Sequence, residues 1–308
     1  MKRILHHYTY LLAALGMGAL SAQASPTGFD LGDASNYGVL FQGNGGNTLN
    51  VNNGPGLAGL AENGKIGIGG TGALQLSGPL VINGNVDFAG SVHDNGPYSG
   101  NITVNGVISG SHANVQSDLN TLNSLSSTLG AESGNGLAIS IGNGANQTVN
   151  VSAGKVDGSG NSVFTVSSIS FVNGATLTIN GDGSHKVVFN IGFAPSFGGH
   201  IVLSGGLTSD DVLFNIFGGN NTTLSGGPNL TINSNGGILT GTFLDPNGQI
   251  QMNHSVLDGR LFGGDSQNEA IVSGAEVNAP PVPDGGSTML LMSLGLGALA
   301  MARKKFVG

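Results

Sequence analysis

The sequence predicts an all-β protein, an irregular right-handed β-solenoid flanked by one amphipathic helix. Glycine accounts for 56 of the 308 residues, and only 8% of the residues are charged. Glycine and asparagine accept the positive φ of tight turns, so this composition suits many short strands joined by such turns. The chain has no cysteine, which excludes disulfides and thiolate metal sites.

Short runs that alternate apolar and polar residues follow one another from Val39 onward, separated by Asn-Gly turns, as half-buried strands do. Two of these runs recur. Val187–Ile191 returns 25 residues later as Val212–Ile216, and Leu177–Asn180 returns as Leu230–Asn233. A period near 25 suits one coil of a solenoid, in which each coil stacks its apolar positions on the next. A β-sandwich also uses short strands, but the regular Gly/Asn turns favour the solenoid.

One segment, residues 111–130, breaks the strand pattern. Its apolar residues recur at steps of three and four, which places them on one face of a helix. Ser111 is predicted to cap the start and Gly130 the end. We expect this helix to lie along the solenoid and cover apolar surface, with a partner-binding helix as the alternative. The apolar residues are Val115, Leu119, Leu122, Leu125 and Leu129.

The N-terminus has the order of parts found in a secretory signal. Two basic residues precede a short apolar run, Leu11–Leu20, and the small residues Ala22 and Ala24 follow it. This order predicts an N-terminal signal helix within a signal peptide over residues 1–24, recognised by the Sec translocon and cleaved by signal peptidase before Ser25. The mature β-rich extracellular domain is then expected to span residues 25–278.

The C-terminus carries a second apolar run, residues 288–302, which ends at Arg303, Lys304 and Lys305. Fifteen residues make about 22 Å of helix, short of the ~30 Å hydrocarbon core. The long stems of the basic residues extend it to a marginal transmembrane helix. Positive charge favours the cytoplasm, so residues 303–308 are predicted to be a cytoplasmic tail.

A linker over residues 279–287 carries the motif Val282, Pro283, Asp284, Gly285 and Gly286. Motif, apolar helix and basic end together resemble a PEP-CTERM sorting signal, and most closely its VPDSG-CTERM variant. The resemblance implies a transient anchor in the inner membrane of a Gram-negative-type bacterium. Exosortase, a membrane cysteine protease, would then process the protein and pass it to the cell surface or extracellular matrix. Gly285 stands where the variant has serine, so the exosortase subtype stays open. The alternative is an ordinary tail anchor.

The body of the chain also resembles a known family. Gly32-Asp33-Ala34, Phe243–Gly248 and Gly259–Gly264 resemble the choice-of-anchor A domain over about residues 30 to 278. This implies an extracellular domain of the adhesin type, carried on a surface anchor. A related β-solenoid with a long flanking helix occurs in bacterial ice-binding proteins.

The charge and the motifs favour a non-catalytic protein without a cofactor. Residues 25–287 contain four basic and seventeen acidic residues, and this excess of acid excludes the basic patch of a nucleic-acid binder. No His-Glu-x-x-His or Gly-x-Ser-x-Gly motif occurs, so no catalytic or metal-binding residue is predicted. Asp210 and Asp211 are predicted to lie in an exposed turn rather than to form a glycosidase pair, and Asp182 is predicted to be a turn residue rather than a calcium ligand.

Three hypotheses for function follow. The first is an exported surface or matrix protein, adhesive or structural, in contact with exopolysaccharide. The second is an ice-binding protein, which would need a sustained ladder of Thr-x-Thr strands. Thr176-Leu177-Thr178 and Thr240-Gly241-Thr242 fit that pattern, but no long ladder is evident. The third is a polysaccharide-active enzyme on a β-helix. Such an enzyme must neutralise the charge of an acidic sugar, and residues 25–287 contain only four basic residues for this.

Overall fold

The computed structural model describes residues 26–52, 59–96, 101–217, 230–246, 248–264 and 268–280, which form a predominantly β structure with one α-helix. Strands that follow one another along the chain turn corners, and each pairs in parallel with a strand from a neighbouring coil. An antiparallel pair joins β12 (Lys155–Val156) to β13 (Asn161–Phe171). The described strands therefore form a β-solenoid with three faces.

Face 1 is the ladder of strands on which the helix lies. Two long strands, β20 (Ile238–Asp245) and β22 (Val256–Gly263), contribute their C-terminal halves to it, and β13 contributes its N-terminal half. The other face 1 strands are β1 (Tyr37–Phe41), β4 (Lys65–Ile68), β7 (Val86–Phe88), β9 (Ile108–Ser109), β15 (Lys186–Ile191) and β18 (Val212–Ile216).

Face 2 follows face 1 in every coil. The C-terminal halves of β10 (Asn135–Ile141) and β13 lie at one end of it. The remaining face 2 strands are β2 (Thr48–Asn52), β5 (Ala73–Ser77), β16 (Ser196–Phe197), β19 (Leu230–Asn233), β21 (Ile250–Asn253) and β23 (Glu269–Val272).

Face 3 completes each coil and is interrupted. Three of its strands form a separate sheet. The N-terminal halves of β20 and β22 belong to the remaining part of face 3, which is continuous with the large sheet. The separate strands are β11 (Asn146–Asn150), β14 (Thr176–Asn180) and β17 (His200–Ser204), and the others are β3 (Gly59–Asn63), β6 (Leu80–Asn83), β8 (Ile102–Val104) and β24 (Glu276–Asn278).

The N-terminal strands lie in the middle of the stack. On one side β1 pairs with β4, and on the other side it pairs with β22, from the last coils of the chain. The chain therefore winds outward from β1 to β9, crosses to the far end, and winds back from β10 to β24. The joint between the two halves is made by the pairs β1–β22, β2–β23 and β3–β24.

The crossing segment is helix α1 (Ala113–Gly130). Its 18 residues make about 27 Å of helix. Six strand spacings of about 4.8 Å separate β7 from β15, or roughly 29 Å, so the helix spans that distance. Its apolar residues Val115, Leu119, Leu122 and Leu129 are buried against the outer side of face 1. The predicted packing along the solenoid is confirmed.

The predicted caps of this helix are wrong. Ser111 has a φ of 67° and lies before the helix, where His112 takes the N-cap position without a side-chain hydrogen bond. Gly130 is the last helical residue, and the C-cap is Ala131, in a right-handed conformation. The reason for a glycine is space, since a Cβ at residue 130 would lie 2.6 Å from the ring of Phe217.

Aromatic rings stacked in register form the centre of the core. Phe189 lies 5.0 Å from Phe214, which lies 4.6 Å from Phe243, and the ring planes are nearly parallel. The strand pairs align these residues, and Val187–Ile191 pairs in full with Val212–Ile216, as the 25-residue recurrence predicts. The second recurrence does not stack. Leu177–Asn180 lies on face 3, whereas Leu230–Asn233 lies on face 2. The two segments resemble each other only in the general pattern of a half-buried strand.

Candidate binding face

Face 1 is closed to an external ligand over most of its described length. Its outward side chains, among them Leu40, Val188, Leu213 and Phe262, are buried in the same cluster as the apolar residues of α1. A ligand of any size must therefore contact face 2, face 3 or an end of the solenoid.

Face 2 carries a continuous outward row of small or amide side chains, one from each of eight successive strands. The inward residues beside them, such as Leu49, Ile232 and Met252, are fully buried. Alternation along each strand separates the two sets. The row consists of Ser140, Ser170, Ser196, Thr231, Gln251, Ala270, Asn50 and Gln75.

A second row on face 2 runs beside the first, two residues further along each strand. It adds four polar residues and one valine: Asn233, Asn253, Val272, Asn52 and Ser77. Neighbouring strands lie about 4.8 Å apart, so both rows repeat at that interval. The outer surface of face 2 is an array of hydroxyl and amide groups that is interrupted at β23 by Ala270 and Val272.

No outward side chain on these face 2 strands is charged. The single charged residue among them is Glu269, and it points into the core, at the position that Leu49 and Ile250 occupy in the neighbouring coils. Every acidic residue on the described surface therefore lies on another face or on a turn. Face 2 is suited to hydrogen bonding with an uncharged partner, and it offers nothing to pair with an ionised one.

Face 3 is less regular. Outward residues Thr148, Thr176 and Thr178 lie together on β11 and β14, but the next strand places His200 and Val202 beside them. The predicted Thr240-Gly241-Thr242 run turns the corner at Gly241, so Thr242 lies on face 1 and is buried. The outward threonines of β11 and β14 therefore form a short patch that does not continue onto β17.

A groove of about 370 Å³ marks the break in face 3 between β17 and β20. Val202 and Ile238 are exposed along it. Across the break, the Ile238 amide donates a hydrogen bond to His200 Nδ1 at 3.2 Å. The groove walls contain one histidine and no carboxylate, so it lacks the paired acids of a glycosidase.

One group of side chains brings a serine, a histidine and an aspartate together. Ser109 Oγ lies 2.8 Å from His112 Nε2, and Asp87 Oδ1 lies 3.7 Å from the same nitrogen. In a catalytic triad the acid instead contacts Nδ1. The Tyr37 hydroxyl donates to Asp87 Oδ2 at 3.2 Å, and burial followed by the charge of Asp87 raises the pKa of Tyr37 above its ordinary value. The group fastens the start of α1 to face 1.

The carboxylates singled out in the sequence have structural partners. Asp211 closes a capping box with Thr208, and Asp210 pairs with the buried guanidinium of Arg260. Asp210 and Asp211 thus serve different partners, and the predicted exposed turn is wrong for Asp211, which its capping box buries.

Asp182 is held within its own turn. It accepts hydrogen bonds from the amides of Ser184 and His185, and its Oδ2 lies 2.7 Å from His185 Nδ1. Burial opposes ionisation, but these hydrogen bonds outweigh it and lower the pKa of Asp182 below its ordinary value. Throughout the described ranges, no group of three or more potential ligands could hold a metal ion.

Comparison with known families decides the classification. Residues 27–278 match the family described as an ice-binding-like adhesive domain, and residues 281–306 match the VPDSG-CTERM motif. The chain belongs to the ice-binding-like adhesive domain family. The resemblance to an ice-binding β-solenoid and the VPDSG-CTERM resemblance are both confirmed, while the resemblance to choice-of-anchor A domains stays a prediction.

Solved structures of ice-binding proteins share the fold. A crystal structure of an ice-binding protein from the Antarctic ascomycete Antarctomyces psychrotrophicus has a TM-score of 0.51 at 16% identity and covers 83% of this chain and 100% of its own. A glycosylated ice-binding protein from an Arctic yeast has a TM-score of 0.50 at 18% identity, with 83% and 96% covered. At such identities the likeness shows the fold alone. No protein with a curated functional description matches this sequence.

The predicted signal-peptide residues Ala22, Ala24 and Ser25 lie outside the described residues. So do the motif Val282–Gly286, the apolar run 288–302 and the basic residues Arg303, Lys304 and Lys305. Within the described ranges, the structure contains no helix with the length and apolarity needed to cross a membrane. The roles of these terminal residues stay predictions.

Proposed function

We propose that this protein is a non-catalytic adhesive protein of the cell surface or extracellular matrix. Membership of the ice-binding-like adhesive domain family and the VPDSG-CTERM match support an exported surface protein. In this proposal signal peptidase cleaves after Ala24, residues 288–302 anchor the chain transiently, and exosortase processes it at Val282–Gly286. Mass spectrometry of the surface-released protein tests the processing step, and an intact C-terminus ending at Gly308 would contradict it.

Face 2 is the surface that we assign to adhesion. The observation that carries this assignment is the uncharged outward row across eight strands, in a body that is otherwise strongly acidic. An acidic polymer would be repelled by the net charge, whereas a neutral, hydroxyl-rich polysaccharide can exchange hydrogen bonds with every strand of the row except β23, which presents Ala270 and Val272. Each contact is weak, but a repeating ligand meets a repeating surface, and the contacts act together.

A charge placed in the centre of the row tests the assignment. We expect Thr231→Lys to weaken binding of the mature protein to neutral matrix polysaccharide about tenfold, because the ammonium must lose water on contact. Thr178→Lys is the matched control, since Thr178 is an outward threonine of face 3. Equal effects of the two substitutions, or none from Thr231→Lys, would rule out face 2 as the adhesion surface.

Ice binding is the second candidate, and the same row favours it. An uncharged array with a fixed repeat can match an ordered lattice of water, and solved ice-binding proteins share the fold. The row contains one threonine among serines and amides, which favours the polysaccharide. Partition of the mature protein into slowly growing ice, lost in Thr231→Lys and kept in Thr178→Lys, would establish ice as the ligand.

A further inference from the structure

A cavity of about 380 Å³ lies beside the C-terminal end of α1, at the corner where face 1 turns into face 2. Phe217 and Pro246 line it on the side of the solenoid. Binding sites for small molecules have volumes of about 300 to 1,000 Å³, so the cavity is large enough for one. The last two turns of the helix and the residue after it contribute Asn123, Ser126, Ser127, Gly130 and Ala131.

The register of the coils places Phe217 at this corner. Phe217 follows the last residue of β18 and continues the outward set of that strand, to which Asn215 belongs. Its amide donates to the Ile191 carbonyl at 3.1 Å, so Gly192 lies beside Phe217 in one neighbouring coil. β20 pairs with the other edge of β18, so Pro246 lies beside Phe217 in the next coil.

Two glycines leave the Phe217 ring uncovered. A Cβ at residue 130 would lie 2.6 Å from the ring, and a Cβ at residue 192 would lie 3.6 Å from its Cζ. Phe217 is 37% exposed, whereas every other phenylalanine or tyrosine in the described part of the chain is buried or partly buried. The cavity therefore offers an apolar aromatic surface that a ligand can reach.

The helix adds polar groups that are available to a ligand. Elsewhere on α1, Thr121 and Ser124 donate to the carbonyl four residues before them, at 3.0 and 2.9 Å. The side chains of Asn123 and Ser127 make no hydrogen bond with any described residue. Both are at least partly exposed and border the cavity. One amide and one hydroxyl therefore stand beside the aromatic ring without a partner in this part of the protein.

The chemistry of this lining selects the class of ligand. None of the described residues that line the cavity carries a charge, so an ionised ligand would find no partner there. A pyranose combines an apolar face of C–H groups, which can stack on an aromatic ring, with hydroxyls around its edge. In a β-glucose unit all the ring hydroxyls are equatorial, so both faces consist of C–H groups.

We propose that this cavity binds one β-glucose-type unit of a neutral polysaccharide. The C–H face of the sugar stacks on Phe217, and its hydroxyls exchange hydrogen bonds with Asn123 and Ser127. This inference rests on the proposed function, because it names the sugar class and adds a contact outside the face 2 row. The corner leads onto face 2, so a chain with one unit in the cavity can continue along that row.

Titration of the mature protein with cellobiose, followed by NMR, tests the proposal. The C–H protons of bound cellobiose should shift upfield because they lie over the Phe217 ring. We expect Phe217→Ala to weaken binding about tenfold, since the stacking surface is lost, and Phe217→Tyr to retain it. The ring is exposed, so the amide spectrum away from the corner should stay that of the wild type. Absence of cellobiose binding, or equal affinities in the wild type and Phe217→Ala, would overturn the proposal.

Asn123→Ala tests the polar contact separately. We expect it to weaken cellobiose binding about fivefold, as loss of one hydrogen bond does. Asn120→Ala is the matched control, because Asn120 is an exposed residue of the same helix that bonds to Gln116 and lies outside the cavity lining. Equal affinities in Asn123→Ala and Asn120→Ala would overturn the assignment of the sugar to this cavity.

Thr231→Lys separates this inference from the assignment of face 2. Cellobiose has only two units, so this variant should bind it as the wild type does, although its binding to the polymer is weakened. Loss of cellobiose binding in Thr231→Lys and not in Phe217→Ala would place the sugar on face 2 and overturn the inference. Polymer binding that withstands Thr231→Lys, with cellobiose binding that requires Phe217, would instead remove the face 2 assignment and support the cavity.

Discussion

Asn215 Nδ2 donates a hydrogen bond to Asn190 Oδ1 at 2.9 Å, between equivalent positions of two stacked strands. Both side chains are buried and point toward α1. Ser126 Oγ donates to Asn215 Oδ1 at 2.5 Å, and Asn190 Nδ2 donates to the Leu129 carbonyl at 2.6 Å. One asparagine ladder therefore joins two coils to each other and both to the end of the helix.

Asn215→Ala should destabilise the protein by about 3 kcal/mol, because Asn190 Oδ1 and the Ser126 carbonyl both lose a buried donor. Urea unfolding measures the change. Asn253→Ala, which removes an outward asparagine of face 2, is the control and should change the free energy of unfolding by less than about 0.5 kcal/mol. Similar losses in the two variants would show that the ladder is not a source of stability.

The sequence predicted this part of the fold because the signal was local. Asn190 and Asn215 occupy the same place in Val187–Ile191 and Val212–Ile216, and a recurrence of five residues was enough to predict that one strand stacks on the other. The helix was predicted for the same reason, since its apolar spacing needs no knowledge of distant residues. Its start was predicted wrongly because Ser111 adopts a positive φ, which its identity does not signal.

Phe214→Ala should cost about 4 kcal/mol, since the ring is fully buried between Phe189 and Phe243 and its removal leaves a cavity in the core. Phe214→Leu fills most of that space and should cost about 1 kcal/mol. Equilibrium unfolding in urea gives both values. If the two variants were equally stable, the loss would not come from the cavity, and the prediction would be wrong.

The ion pair at Asp210 and Arg260 should respond differently to removal of each partner. The guanidinium is almost fully buried while the carboxylate is about two-fifths exposed, and burial lowers the pKa of Arg260 to about 10. Asp210→Ala leaves a buried charge uncompensated and should cost about 3 kcal/mol. Arg260→Met leaves a carboxylate that water can reach, and should cost less than half as much. Thermal unfolding at pH 7 compares the two variants. A larger loss of stability in Arg260→Met than in Asp210→Ala would contradict this account of the ion pair.

The joint and the candidate face could not be predicted from the sequence. Leu261 and Val39 pair although more than two hundred residues separate them, and no local pattern marks either as a partner of the other. The row on face 2 depends on coils of unequal length, because Phe189 and Phe214 are 25 residues apart while Phe214 and Phe243 are 29 apart. Only the register of the folded chain brings Ser170, Thr231 and Gln251 into one line.

Gln147 covers the end of the described solenoid. It occupies the inward position that Leu177 holds in the next coil, and its side chain reaches the edge of β10 with which none of the described strands pairs. Gln147 Nε2 donates to the Ala138 carbonyl at 2.9 Å, and its Oε1 accepts from the Ser140 amide at 3.1 Å. The amide thus satisfies two backbone groups that another strand would otherwise pair with, and exposed strand edges of this kind promote association between molecules.

Gln147→Ala should leave the free energy of unfolding within about 1 kcal/mol of the wild type, because water can solvate the released groups, but it should promote end-to-end association. Sedimentation velocity over a range of protein concentrations measures this, and we expect dimers and larger species that the wild type lacks. Gln251→Ala is the matched control, since Gln251 lies on β21, a strand already paired on both sides. A Gln147→Ala protein that stays at the size of the wild type at every concentration would show that the edge is protected by something other than this side chain.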